Sequence, residues 1–152
     1  MAYRRGGRSL RPTIVVALSA AIAGCAAPPP STPQNALVGT WANAEDDAIT
    51  IRPDTVVQHQ PDGQPVPLDS EVCDGRFSFG YATRSRAALT ALLPRQPGLA
   101  KSLSELLVAP AYPVAVLRCA DGDQTYVLLN GHQLVAIYRD GDIGAIERLA
   151  RQ

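Results

Sequence analysis

Thr125-Tyr126-Val127-Leu128-Leu129-Asn130-Gly131-His132-Gln133-Leu134-Val135-Ala136-Ile137-Tyr138 decides how the chain is read. Two runs rich in β-branched and aromatic residues flank an Asn-Gly pair, whose tolerance of positive φ suits it to a tight hairpin. Asp121-Gly122 and Asp140-Gly141 repeat the turn signal on either side, and Val114-Ala115-Val116-Leu117 supplies a strand before them. The C-terminal third is therefore predicted to be an antiparallel meander. Ile143, Ile146 and Leu149 suit a helix by spacing, yet a strand there would complete the meander; the strand is favoured.

Upstream, the period changes. Ala88, Leu89, Leu92 and Leu93 follow Ser85, a good N-cap, and Pro94 ends the run; Leu99, Leu103, Leu106 and Leu107 then recur at helical spacing. Two short helices separated between Pro94 and Pro97 are expected to lay a leucine face on the sheet. A membrane or partner surface is the competing use of such a face, but a stripe this short suits a core. Nearer the N-terminus, Gly39-Thr40-Trp41, Ala48-Ile49-Thr50-Ile51, Thr55-Val56-Val57 and Arg76 to Tyr81 read as strands. Pro61-Asp62-Gly63, Pro65 and Pro67 mark residues 60–69 as a loop. The fold class expected is α+β: a small antiparallel β-sheet, or a curled barrel of roughly seven or eight strands, with a two-helix insertion. It would occupy residues 37–152 as one β-rich domain.

Residues 1–24 read differently. Arg4, Arg5, Arg8 and Arg11 precede an uncharged run from Thr13 to Gly24, and that run is too short to span a bilayer, which needs roughly 20 apolar residues. A basic segment, a short apolar segment and small residues fit a secretory signal peptide that is removed. Arg4-Arg5 is followed by Gly6-Gly7 rather than apolar residues, which favours general secretion over twin-arginine export.

Ile22-Ala23-Gly24-Cys25 closes the apolar run and resembles the lipobox of bacterial lipoproteins. The resemblance implies that the Cys25 thiol receives a diacylglycerol, that cleavage falls before Cys25, and that the new α-amine is acylated in turn, for instance by palmitate. Two or more acyl chains anchor a protein stably where one does not. Ala26, not aspartate, follows the cysteine; by the family's sorting pattern this implies the outer membrane, facing the periplasm. A buried core cysteine is the competing fate of such a thiol. Residues 25–36 would then be the lipidated cysteine and a tether whose Pro28-Pro29-Pro30 and Pro33 favour an extended chain of about 3 Å per residue.

With Cys25 assigned to lipid, Cys73 and Cys119 are left as an even pair in an oxidising compartment, and a disulfide between them is expected. Gly39-Thr40-Trp41 resembles the Gly-x-Trp opening of lipocalin-like barrels. That resemblance implies an arginine near the C-terminus packed over the tryptophan, here Arg148 or Arg151; a simple core role explains Trp41 equally well.

The whole chain of 152 residues balances 14 basic against 14 acidic residues. Removing residues 1–24 would leave an acidic excess of about four, with Lys101 the one lysine and no basic cluster. Nucleic acid is therefore excluded as an expected partner. Around Ser78 the residues Arg76 and Gly80 do not form a nucleophile elbow. His59 and His132 are isolated, and no phosphate-binding glycine loop occurs. Asp121-Gly122-Asp123 and Asp140-Gly141-Asp142 suit turns, lacking the longer ligand series of a calcium loop. No catalytic, cofactor-binding or metal-binding residue is assigned, and no cofactor is expected. The expected function is a non-catalytic cell-envelope lipoprotein, membrane-held through its anchor, presenting its domain to an envelope protein. A carrier of small apolar ligands and an inhibitor of lysozyme or protease are the alternatives.

Overall fold

The computed structural model describes residues 32–152. Cys25 and the expected signal peptide lie outside the described residues. The chain forms α1 (Pro33–Leu37), β1 (Gly39–Ala42), β2 (Ala48–Ile51), β3 (Val56–His59), β4 (Pro65–Leu68) and β5 (Ser78–Ser85). It continues through α2 (Arg86–Thr90), α3 (Pro97–Leu106), β6 (Ala111–Arg118), β7 (Asp123–Asn130), β8 (Gln133–Asp140) and β9 (Ile143–Arg151). The described strands make one antiparallel sheet in the order β4-β3-β2-β1-β9-β8-β7-β6-β5.

The meander from β6 to β9 follows the turn signals. At the β7–β8 hairpin the two connecting residues are Gly131 and His132, and Asn130 acts through its side chain, whose Oδ1 accepts the His132 N–H at 2.9 Å. At the β8–β9 hairpin Gly141 takes φ +55°, the left-handed conformation that glycine adopts freely. The ambiguous segment after it is a strand, paired with β8 from Asp140↔Ile143 to Gln133↔Ala150. Its mixed periodicity has a cause: Leu149 buries on one face of the sheet while Ile146 packs on the other.

Both faces of the central strands are covered. On the inner face, Trp41, Ile51, Leu117, Tyr126, Leu134 and Leu149 form one cluster with Leu37 of α1. On the outer face, Leu89 of α2, Leu103 of α3 and Leu107 just beyond it pack on Val114, Val127, Val135 and Ile137. Double coverage makes Tyr126 to Leu129 and Leu134 to Ile137 nearly continuous apolar runs instead of strict alternations. Ser85 caps α2, its Oγ accepting the Ala88 N–H, and Pro97 opens α3.

The sheet curls until its far ends approach. Tyr81 of β5 donates its hydroxyl to the Arg52 carbonyl at the β2–β3 turn, 2.5 Å away. It nevertheless stays open, since β4 and β5 are not paired, and it has nine strands rather than the seven or eight expected of a barrel. The extra strand is β4, in a stretch expected to be a loop. Its register against β3, with the Gln60 N–H bonded to the Gln64 carbonyl, turns the ring nitrogens of Pro65 and Pro67 to the outer edge. Prolines there cost the β3–β4 ladder nothing, yet they leave the edge unable to donate to β5.

A second departure concerns the tether. Pro33 to Ala36, expected to be extended, belong to α1: Thr32 Oγ1 accepts the Asn35 N–H, Pro33 sits in the first turn, and Leu37 is fully buried. Proline restricts a helix interior but is favourable at its first position. A helix capped by Thr32 thus leads into Leu37, the expected start of the folded domain.

The expected disulfide is present. Cys73, in the β4–β5 connection, is bonded to Cys119 after β6, and the bridge encloses a loop containing both outer helices.

Candidate functional site

Two open clefts flank the packed interior. The larger, about 500 Å³, lies where α3 ends. Leu107 turns into the outer core, so the next residue, Val108, points away from it and is 88% exposed. The outer helices cover β6 to β8 and meet β9 around Ile146, but end before Ala150 and Ala42, which form an apolar floor beside Val108, Ala109 and Tyr112. Glu105 and Arg148 stand at the margins with opposite charges. Arg148 is one of the two arginines expected over Trp41; it lines this groove instead.

Arg151 is the one that meets the tryptophan. Its guanidinium lies 4.3 Å from the Trp41 ring centroid. It also donates to the carbonyls of Ala36 (2.6 Å), Val38 (3.2 Å) and Gly131 (3.0 Å). Two of these acceptors belong to the C-terminal end of α1, where unpaired carbonyls and the helix dipole favour a cation. Trp41 completes the junction by donating its indole N–H to Leu37 at 2.9 Å. Trp41 and Arg151 are thereby used in structure, with the arginine spanning the β1–β9 seam.

The second cleft, about 390 Å³, is lined by Tyr138, Gln124, Cys119 and Leu68, with Val72 (51% exposed) and Ile143 (70% exposed) at its lip. Behind it lies a polar cluster on the inner face. Glu147 accepts from Tyr138 at 2.9 Å and from the Asn43 amide at 2.5 Å, and the same amide reaches Asp47 at 3.2 Å. Tyr126 donates to Gln124 alongside. Burial pushes the Tyr138 phenol well above the ordinary range, helped by Tyr126 and Glu147; burial and then Glu147 do the same to Tyr126. Both phenols therefore remain protonated donors at neutral pH. The arrangement orients hydrogen bonds and offers no activated nucleophile.

The remaining residues singled out in the sequence are dispersed. His59 shares a hydrogen bond with Thr50, which in turn meets Thr40, in a ladder across β1 to β3. His132 sits in the β7–β8 turn. Asp123 lies 3.3 Å from Arg139, and Asp142 pairs with Arg95. Among the described residues no three His, Cys, Asp or Glu side chains gather as a metal cage, and no described helix is long and apolar enough to cross a membrane. Val108, Asn43 and Glu147 were not legible as site residues. Glu147 carried one usable signal, since it shares an inward register with Leu149.

Comparison with protein-family models, with curated proteins and with solved structures finds no match to this chain.

Proposed function

We propose that the chain is a non-catalytic envelope lipoprotein, held in the outer membrane through Cys25, whose domain docks a protein partner in the groove beside α3. The observation that carries this reading is Val108: a large apolar side chain almost wholly exposed at the rim of an apolar groove. Exposed apolar surface rimmed by polar groups is characteristic of interaction sites. Glu105 and Arg148 would set the orientation of the partner, more through specificity than through raw affinity. In architectural terms we read α2 and α3 as an insertion into the meander that builds one wall of this groove, in keeping with an α+β description.

The test is photo-crosslinking from position 108 in intact cells, with Val108→Asp and Cys25→Ser compared with the wild type in affinity capture. A defined envelope protein crosslinked from the groove and lost in Val108→Asp supports the reading. Repeated capture of nothing specific overturns it. Loss in Cys25→Ser alone would assign the effect to location rather than to recognition.

A carrier of small apolar ligands is the second reading, favoured by the Arg151–Trp41 contact that a lipocalin-like resemblance implies. Trp41, Tyr126 and Leu134 fill the inner face with no exposure, so such a ligand would have to use the mouth at Tyr138. Binding of an apolar fluorophore blocked by Ala145→Trp would favour it.

A further inference from the structure

The two edges of the sheet are not equivalent. On β4, Pro65 and Pro67 face outward and remove donors, a common protection against edge-to-edge association. On β5, eight residues run from Ser78 to Ser85 without proline, lysine or a bulge. The register against β6 fixes which groups are free. The Arg86 N–H bonds to the Pro110 carbonyl, and the pairing then runs without a shift through Arg84↔Tyr112, Ala82↔Val114 and Gly80↔Val116. In an antiparallel ladder bonded and non-bonded pairs alternate. Phe79, Tyr81 and Thr83 therefore direct their N–H and C=O groups away from β6. Among the described residues none of these six groups has a hydrogen-bond partner.

We propose that this edge pairs with β5 of a second copy of the chain, joining two sheets across a two-fold axis at Tyr81. The outward residues are the odd-numbered ones, and an antiparallel self-pairing must set odd against odd. Centring on Tyr81 achieves this, with Phe79 opposite Thr83 of the second copy and Thr83 opposite its Phe79. All six free backbone groups of each strand are then bonded. The intervening pairs are Gly80 with Ala82 and Ser78 with Arg84, so no like charges face one another. An isologous contact of this kind is the commonest symmetric solution for a dimer. It uses main-chain bonds for affinity, as in other strand additions. A contact limited to one strand pair is small, so the dimer is weak and concentration-dependent in solution. The inference does not depend on the groove beside α3, which lies on other strands.

The experiment is sedimentation of the full chain carrying Cys25→Ser across a wide concentration range. Thr83→Pro removes an outward donor; Thr83↔Pro113 is a non-bonded pair of this register, so the β5–β6 ladder loses no bond. It should leave the chain monomeric. Ser78→Lys sets a like charge against Arg84 of the second copy and should weaken the dimer several-fold at two symmetric places, while Ser78→Glu should tighten it. The pair Ser78→Lys with Arg84→Glu should restore association. Val108→Asp should leave association unchanged, which separates this inference from the groove reading. A wild-type chain that is monomeric throughout overturns the proposal, as does a dimer insensitive to both Thr83→Pro and Ser78→Lys. Should Thr83→Pro not fold, the charge series decides alone.

Discussion

Arg151 lies over Trp41, its guanidinium carbon 4.3 Å from the ring centroid, and the contact joins the last strand of the sheet to the first. The same guanidinium bonds three backbone carbonyls. Removing it deletes a cation–π contact and leaves those acceptors without their charged donor. Arg151→Ala should lower stability by about 2 kcal/mol in denaturant unfolding. Arg151→Lys should recover only part, because an ammonium cannot reproduce the planar fork. Trp41 is the single tryptophan, so its emission reports the junction directly.

Gly39 is coupled to that arginine. Its φ is +144°, and a Cβ placed there would stand 2.8 Å from Nη1 of Arg151. Gly39→Ala should therefore cost roughly 1–3 kcal/mol through backbone strain, with a further loss from displacing the guanidinium. In an Arg151→Ala background the steric part is relieved, so the double mutant should be less destabilised than the sum of the singles. A double-mutant cycle measures this directly; strict additivity would remove the coupling.

The central strands were legible because turn residues and apolar runs are local. The ends of the sheet were not. β4 hides behind Pro65 and Pro67, which signal a loop unless the strand lies at an edge. α1 hides in a proline-rich stretch whose useful signals, Thr32 followed by Pro33, are those of a helix start. The pairing of β1 with β9 brings Trp41 opposite Arg151; local patterns do not encode so distant a partner, and the Gly-x-Trp resemblance points to Arg151 only beside Arg148. The groove beside α3 depends on where the outer helices stop, which is a property of packing. Asn43 and Glu147 meet for the same long-range reason.

The Cys73–Cys119 bridge spans a sequence separation of 46. Loop-closure entropy assigns about 4 kcal/mol to a loop of this size. The double variant Cys73→Ser, Cys119→Ser should lose an amount of that order in chemical unfolding. Cys73 is almost completely buried while Cys119 lines the open second cleft, so reductant added to the native protein should attack at Cys119, and mass spectrometry of alkylated samples would follow it.

Alkaline stability should reflect the phenols. Burial pushes Tyr81 up to about 12, and Tyr126 and Tyr138 are raised further. An unfolded tyrosine ionises near 10. The folded state thus holds these protons where the unfolded state releases them. Their contribution is fully present below pH 10 and declines as pH rises from there towards the folded values. Ultraviolet titration should show the buried phenols ionising late, together with loss of structure. Tyr138→Phe should flatten the alkaline limb while leaving Glu147 without one of its donors. Ionisation of all the domain's tyrosines at pH 10 with the fold intact would contradict this.

β9 lies between β1 and β8, in the interior of the sheet, although it is the last strand in sequence. During synthesis, the hairpins of β1 to β4 must therefore wait, with one flank unpaired, until Ile143 to Arg151 emerge. Contacts this distant in sequence are formed slowly. A nascent chain stalled before Ile143 would hold two half-sheets without the strand that pairs with both, and such intermediates are the ones on which chaperones and proteases act.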